Sequence, residues 1–263
     1  MSNDQNFKTA EDEFARVCAT TTTLLIRLKR FYEIASSCLP NGVQKQKVED
    51  YTFLNNMAKS GELEFYLVDG VSSQDFLRIY QQRANEIYES TFQESQNIVD
   101  SAAIVFAHGI IEACVYGYLT VTSIARPDLW ECYVKRKQVE LKNVKSTSFE
   151  EIRKDKIDEL LRSVERESLV DKLDRFHKIA PPEPGTQEKL GFYYDRDHLV
   201  RLDDIRQKVV HGNDWSSYKF IFAQDWHYWH GLNFYLAYLV HRKSGLNLSP
   251  EKCAEYMKES TIS

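Results

Sequence analysis

The chain has 263 residues, of which 43% are hydrophobic and 28% charged, proportions typical of a soluble globular protein with a packed core. Glycine and proline are scarce, at 10 and 6 residues, which favours long helices over a turn-rich β-sandwich. The net charge of −5 excludes a uniformly basic surface, so any contact with RNA requires a local basic patch.

The cysteines and the N-terminal segment indicate the cellular compartment. Five cysteines are dispersed without a CxxC pair, which is typical of reduced thiols and predicts neither a disulfide framework nor a zinc site. The first residues lack the basic and apolar stretches of a signal peptide. The longest apolar run, residues 102–124, is interrupted by polar side chains and is predicted to be a buried core helix. We therefore expect a cytoplasmic protein without a membrane partner.

Hydrophobic periodicity predicts the elements of the N-terminal part. Apolar residues at helical spacing predict a helix over residues 8–38 that ends at Leu39-Pro40-Asn41-Gly42. A shorter helix follows over residues 43–59. Alternating apolar and polar residues within 61–70 predict one short strand.

The remainder of the chain is predicted to be helical. A helix begins at Ser72-Ser73-Gln74-Asp75, and Pro181 to Gly185 forms a loop. Further helices are predicted at residues 97–125, 149–180 (one helix or a pair), 197–210 and 220–243. The expected fold is therefore an all-α helical bundle. We divide it into an N-terminal helical extension (1–92), a helical domain (93–250) and a C-terminal tail (251–263).

The helix around residue 206 carries a charge on its apolar face. At about 100° per residue, an apolar face of roughly 140° is formed by Leu199, Leu202, Ile205, Val209 and Val210. Arg206 lies inside this face, whereas Asp204, Lys208 and Arg201 point to the other side. Burying a guanidinium costs several kcal/mol unless it is paired, so Arg206 requires either a counter-charge or a functional use.

His211 follows Arg206 by five residues, which places it about 140° away on a continuous helix. Gly212 is a residue type expected just past a helix end, where it would release His211 from the helical phase. Alternatively, both residues meet their copies across a twofold axis. Two plainer interpretations stay open: Arg206 is a structural cation paired with a buried carboxylate, and His211 interacts only with the helix dipole.

The segment Ile205-Arg206-Gln207-Lys208-Val209-Val210-His211-Gly212 resembles the signature of the HEPN superfamily, an Arg followed after four to six residues by His, often with Gly next. The apolar helix around Gly109-Ile110-Ile111-Glu112-Ala113 also resembles the first core helix of that family. The resemblance covers roughly residues 95–245. Many catalytic members carry Asn, Asp or His directly after the Arg, whereas this chain has Gln207, which can still hydrogen-bond phosphate or ribose.

This resemblance implies an HEPN-like bundle and a metal-independent endoribonuclease that needs no cofactor. The RNA 2′-hydroxyl would attack the adjacent phosphorus at a site formed in a homodimer, with Arg206 and His211 as the catalytic residues. His211 would move protons at the reacting oxygens, and Arg206 would stabilise the charge that develops on the phosphate. A toxin or antiviral (phage-defence) role is implied only by the family, and no DNA partner is expected.

Other residues are predicted to support this site. Ser101, His108 and Glu112 share one line on the core helix. Glu112 would orient or neutralise Arg206 and His108 would pair with Glu112, or the line is an internal hydrogen-bonded seam. Gln207 is a further supporting candidate. The predicted RNA-binding residues are Lys135, Arg136, Lys137, Arg201 and Lys208.

Three competing interpretations remain. His227 and His230 have a spacing that suits a metal on a helix face, but a third ligand is missing, so we predict no metal site. A non-catalytic HEPN-type module for dimerisation or partner binding would use Arg206 only as a buried structural cation. An unrelated helical scaffold would make the motif a coincidence.

Overall fold

The computed structural model describes residues 3–67, 71–134, 148–212 and 222–262, and all regular elements in these ranges are helical. The predicted all-α class is therefore confirmed. The α-helices are α1 (Asn3–Ser60), α2 (Ser73–Ala125), α3 (Glu131–Val134), α4 (Phe149–Val164), α5 (Leu169–Ile179), α6 (Thr186–Leu190), α7 (Arg196–Gly212), α8 (Phe222–Ser244) and α9 (Pro250–Ile262). Two 3₁₀ turns cover Glu62–Tyr66 and Pro127–Trp130.

α1 continues through Pro40, so the predicted break there is wrong. A proline inside a helix removes one backbone hydrogen bond. Leu39 and Val43, close to it in the chain, are partly buried beside Tyr88 of α2, so α1 continues along its neighbour through this position. The helices predicted over residues 8–38 and 43–59 are thus parts of one helix.

The predicted strand within residues 61–70 is also wrong. Gly61 adopts a left-handed conformation (φ 76°) at the end of α1, and Glu62–Tyr66 forms the first 3₁₀ turn with Leu63 buried. An isolated strand has no neighbour with which to pair, and this segment forms a tight helical connection instead. Residues 68–70 lie outside the described part of the chain.

α2 begins where the sequence predicts it and then runs without a break to Ala125. The Ser72 hydroxyl caps it by accepting a hydrogen bond from the Asp75 backbone N–H at 3.1 Å. No glycine or proline interrupts residues 73–108, so the helix predicted from Ser72 merges with the one predicted over 97–125. α1 and α2 form a long hairpin.

The C-terminal half of α2 is the central helix of the core. Ile104, Ile111, Val115 and Tyr118 are fully buried and pack in one cluster with side chains from α1, α4, α5, α7 and α8. Phe14 of α1, from the predicted extension, belongs to this cluster. α9 lies against the first part of α1.

The charged segment 149–180 is a pair of helices, one of the two forms that the sequence predicts. Ser148 forms a capping box with Glu151 at the start of α4, and Ser168 caps α5. Residues 181–185 form the predicted loop.

One described stretch, Glu86–Ala125, is long and apolar enough to cross a membrane by length and composition alone. Half of its most apolar window is buried inside the protein. This burial fits the core helix of a soluble protein, as the sequence predicts for residues 102–124.

Candidate functional site around α7

α7 carries the HEPN-like motif and packs between α2 and α5. The Asp195 carboxylate caps its first turn by accepting a hydrogen bond from the His198 backbone N–H at 2.9 Å. Leu199, Leu202 and Val209 are buried as predicted. Val210 is 46% exposed, so the buried face is narrower than the predicted one.

Arg206 lies at the edge of the buried face, with its side chain 25% exposed. Its Nε donates a hydrogen bond to Asp203 Oδ1 at 3.3 Å, one helical turn earlier. The required counter-charge therefore comes from the same helix. Glu112, which was predicted to orient or neutralise Arg206, makes its described contacts with two other residues.

A chain of polar side chains continues from Asp203 into the protein. Asp203 Oδ1 lies 3.0 Å from His108 Nε2, and His108 Nδ1 lies 3.8 Å from Glu112 Oε2. Glu112 Oε1 accepts a hydrogen bond from Lys172 Nζ of α5 at 2.5 Å. The chain joins α7, α2 and α5, and it places the imidazole of His108 between two carboxylates.

His108 is almost completely buried, at 1% exposure. Neither ring nitrogen makes a well-directed hydrogen bond, so its contacts with the two carboxylates are mainly electrostatic. Burial, reinforced by the Arg206 charge, lowers the pKa of His108, and the carboxylates of Asp203 and Glu112 only partly oppose this. His108 is therefore neutral at neutral pH and suits a structural seam better than proton transfer.

His211 is exposed and remains within α7, which includes Gly212. The helical phase therefore holds it about 140° from Arg206, and the predicted release by Gly212 does not occur. Gln207, also exposed, lies between them on the outer side of the helix. Within one chain, Arg206 and His211 face different directions.

Two of the predicted RNA-binding residues lie together. Arg201 and Lys208 line a cleft of about 700 Å³ on the outer side of α7. On the helical wheel, Arg201, Lys208 and His211 fall within a sector of about 80°. Exposed Asp204 lies in the same sector, so this solvent-facing line along the helix carries both signs of charge. Lys135, Arg136 and Lys137 lie outside the described residues.

The cleft also contains a histidine paired with a buried acid. His198 Nε2 lies 3.6 Å from Oδ1 of Asp225, whose side chain is 4% exposed. The His198 ring packs edge-on against Tyr228 at 4.7 Å between centroids. Burial lowers the pKa of His198, and Asp225 opposes this only in part. Asp195 and Asp204 also line the cleft, so its described walls carry both signs of charge.

The histidines of α8 do not come together as metal ligands. His227 is exposed, whereas His230 packs against Trp226 and Phe234, with ring centroids 5.5 and 4.9 Å away. No group of three or more potential metal ligands occurs among the described residues. His230 is thus part of the aromatic packing along α8.

Two members of the polar chain, Asp203 and Lys172, were not predicted from the sequence. Asp203 precedes Arg206 by three residues, a spacing at which side chains meet on a helix. Lys172 lies inside the apolar face formed by Leu169, Leu173 and Phe176 of α5. Both residues were therefore detectable in the sequence. Asp203 has the spacing of a partner for Arg206, and Lys172, like Arg206, is a cation within an apolar face.

Comparisons with protein-family models, with curated proteins and with solved structures return no match for this chain.

Proposed function

We propose that this protein is a metal-independent endoribonuclease of the HEPN type, acting in the cytoplasm as a homodimer. The carrying observation is the solvent-facing line of α7, in which exposed His211 follows the two cations Arg201 and Lys208, with Asp204 between them. About 140° around the helix from His211, the partly exposed Arg206 forms an ion pair with Asp203. An RNA strand whose phosphates contact Arg201 and Lys208 would place a further phosphate beside His211.

The proposed reaction follows from these residue types. His211 accepts the proton of the 2′-hydroxyl as its oxygen attacks the adjacent phosphorus. The bond from phosphorus to the 5′-oxygen breaks, leaving a 2′,3′-cyclic phosphate, and the departing 5′-oxygen takes a proton from water to become a hydroxyl. The guanidinium of Arg206 binds the non-bridging oxygens as their charge increases. Because one α7 holds the two residues about 140° apart, Arg206 would come from the second copy.

The test is incubation of single-stranded RNA with the protein in the presence of a chelator. We expect cleavage products ending in cyclic phosphate, and a loss of at least about 100-fold for Arg206→Ala and for His211→Ala. Matched controls are the exposed residues Arg166 and His227, whose alanine variants should cleave like the wild type. Undiminished cleavage by both site variants would contradict the proposal.

A second candidate function is a non-catalytic HEPN-type module for dimerisation or partner binding. The observation that favours it is the ion pair of Arg206 with Asp203, which already gives the cation a structural partner. Absence of cleavage by the wild type, together with lower stability of Arg206→Ala, would support the module. A toxin or phage-defence role would follow from the ribonuclease proposal. In that case, the growth arrest caused by expressing the protein should depend on Arg206.

A further inference from the structure

The distal part of the α1–α2 hairpin, residues 26–60 and 73–99, forms an arm about 40–50 Å long. Only Ser73 and Ala84 are buried among the described side chains of this arm. Its two helices are joined by hydrogen bonds, with Tyr88 donating to Asp50 and Gln96 donating to Ser36 at 3.3 Å. The arm thus has little core of its own.

The arm exposes large apolar side chains along its sides. On α1 they lie within a sector of about 140°, and on α2 within about 100°. They are Phe31, Ile34, Val48 and Phe53 on α1, and Ile79, Ile87 and Ile98 on α2, each between 45 and 63% exposed. This concentration of exposed apolar side chains on the arm indicates an interaction surface.

An apolar groove of about 360 Å³ runs beside this surface, between α1 and α2. Its walls include Leu39, Val43 and Tyr88, and the space opens at Gly42, where a Cβ atom would meet no other atom within 4 Å. The groove can therefore receive a large apolar side chain of the kind that the arm itself presents.

The two helices of the arm carry opposite net charges. Residues 26–60 contain six Lys or Arg and three Asp or Glu, whereas residues 73–99 contain two and four. The ion pairs described within the arm join residues of the same helix: Lys29 with Glu33, Lys45 with Glu49 and Arg78 with Asp75. Because each of these pairs lies within one helix, the pairs do not cancel the net charge of either helix.

We propose that the arm binds the arm of a second copy of this chain, with α1 of each copy against α2 of the other. This arrangement matches the basic helix with the acidic one and brings the exposed apolar side chains of each copy to the groove of the other. The face is about 45 Å long and two helices wide, so it offers about 800 Å² per copy, the size of a stable interface. The inference does not depend on the ribonuclease proposal.

Charge reversal tests the pairing, because the two helices can be altered separately. One variant is Arg30→Glu/Lys45→Glu on α1, and the other is Glu86→Lys/Glu94→Lys on α2. All four side chains are exposed, so folding should be retained. A matched control, Arg162→Glu/Lys178→Glu, reverses two exposed charges of α4 and α5.

The readout is the alkylation rate of Cys38, an exposed thiol in the groove, followed on its peptide by mass spectrometry. Association by any other surface leaves this rate unchanged. We expect at least about fivefold slower alkylation in concentrated than in dilute wild-type protein, by mass action. Each charge variant should lose this protection, an equimolar mixture should regain it, and the control should keep it.

Equal alkylation of the wild type at all concentrations would overturn the proposal. Protection lost in the single variants but not regained in their mixture would overturn the pairing of α1 with α2. Protection that arises only when another protein is added would show a different occupant and equally overturn it.

Discussion

Lys172 shows how one side chain holds three helices at the candidate site. Its side chain is 3% exposed, and its ammonium group donates to Glu112 at 2.5 Å and to the Glu165 carbonyl at 3.0 Å. Replacing it with methionine keeps the volume but leaves the Glu112 carboxylate, 30% exposed, without its cation. We expect Lys172→Met to lower the free energy of unfolding by about 2–3 kcal/mol in urea titrations.

The matched control for Lys172 is Lys154→Met, at an exposed position of α4, which should change the free energy of unfolding by less than about 0.5 kcal/mol. Adding Glu112→Gln to Lys172→Met should restore part of the loss, because the unpaired charge is then removed. Equal stability of the wild type and Lys172→Met would show that the ion pair makes no net contribution.

His177 gives the fold a dependence on pH that can be predicted with its sign. Burial lowers the pKa of its imidazole to about 4, below the value of about 6.5 in an unfolded chain. The unfolded state therefore binds more protons between these values, and stability is fully present above pH 6.5 and lost as the pH falls towards 4. The loss should reach about 3 kcal/mol, and His177→Gln should flatten the curve of unfolding free energy over this window.

The candidate site was predictable from the sequence in its location but not in its contacts. Helical phase placed Arg206 on the inner side of α7 and Arg201 and Lys208 on the outer side. It did not decide between a carboxylate on the same helix and Glu112 on a neighbouring one, because a helical wheel gives directions within one helix and not the distances between helices. Asp203 on the same helix therefore serves where Glu112 was expected.

At the scale of elements, the sequence predicted where helices lie better than where they end. Ser72, Ser148 and Ser168 are caps that satisfy backbone N–H groups, and such local chemistry is visible in the sequence. Pro40 was misleading, because the packing of α1 against α2 outweighs one missing hydrogen bond. Tertiary contact decides such cases, and a single sequence does not show it.

The contact between α8 and the loop before α7 depends on a glycine. A Cβ atom at Gly231 would lie 2.5 Å from Phe192 Cδ2, too close without a shift of the ring. Gly231→Ala should therefore lower the free energy of unfolding by about 1–3 kcal/mol, although alanine is the better helix former. Gly109→Ala is the matched control, since no atom lies within 4 Å of that Cβ position, and it should stabilise by up to about 1 kcal/mol.

Smaller side chains at residue 192 sharpen this test. Phe192→Leu combined with Gly231→Ala should cost less than the sum of the two single changes, because the leucine relieves the overlap. Additive losses in thermal or urea unfolding would show that the ring and the glycine do not oppose each other.

For the whole molecule, the ribonuclease proposal requires residues from two chains. If each site combines Arg206 of one copy with His211 of the other, then Arg206→Ala and His211→Ala proteins are each inactive alone but complementary when mixed. Random exchange makes half of the dimers mixed, and one of the two sites in each mixed dimer is intact. The equimolar mixture should recover about a quarter of wild-type cleavage.

A mixture of Arg206→Ala with the Arg206→Ala/His211→Ala double variant should recover none. Continued inactivity of the complementary mixture, with subunit exchange verified by mass spectrometry, would show that the two residues do not form a shared site.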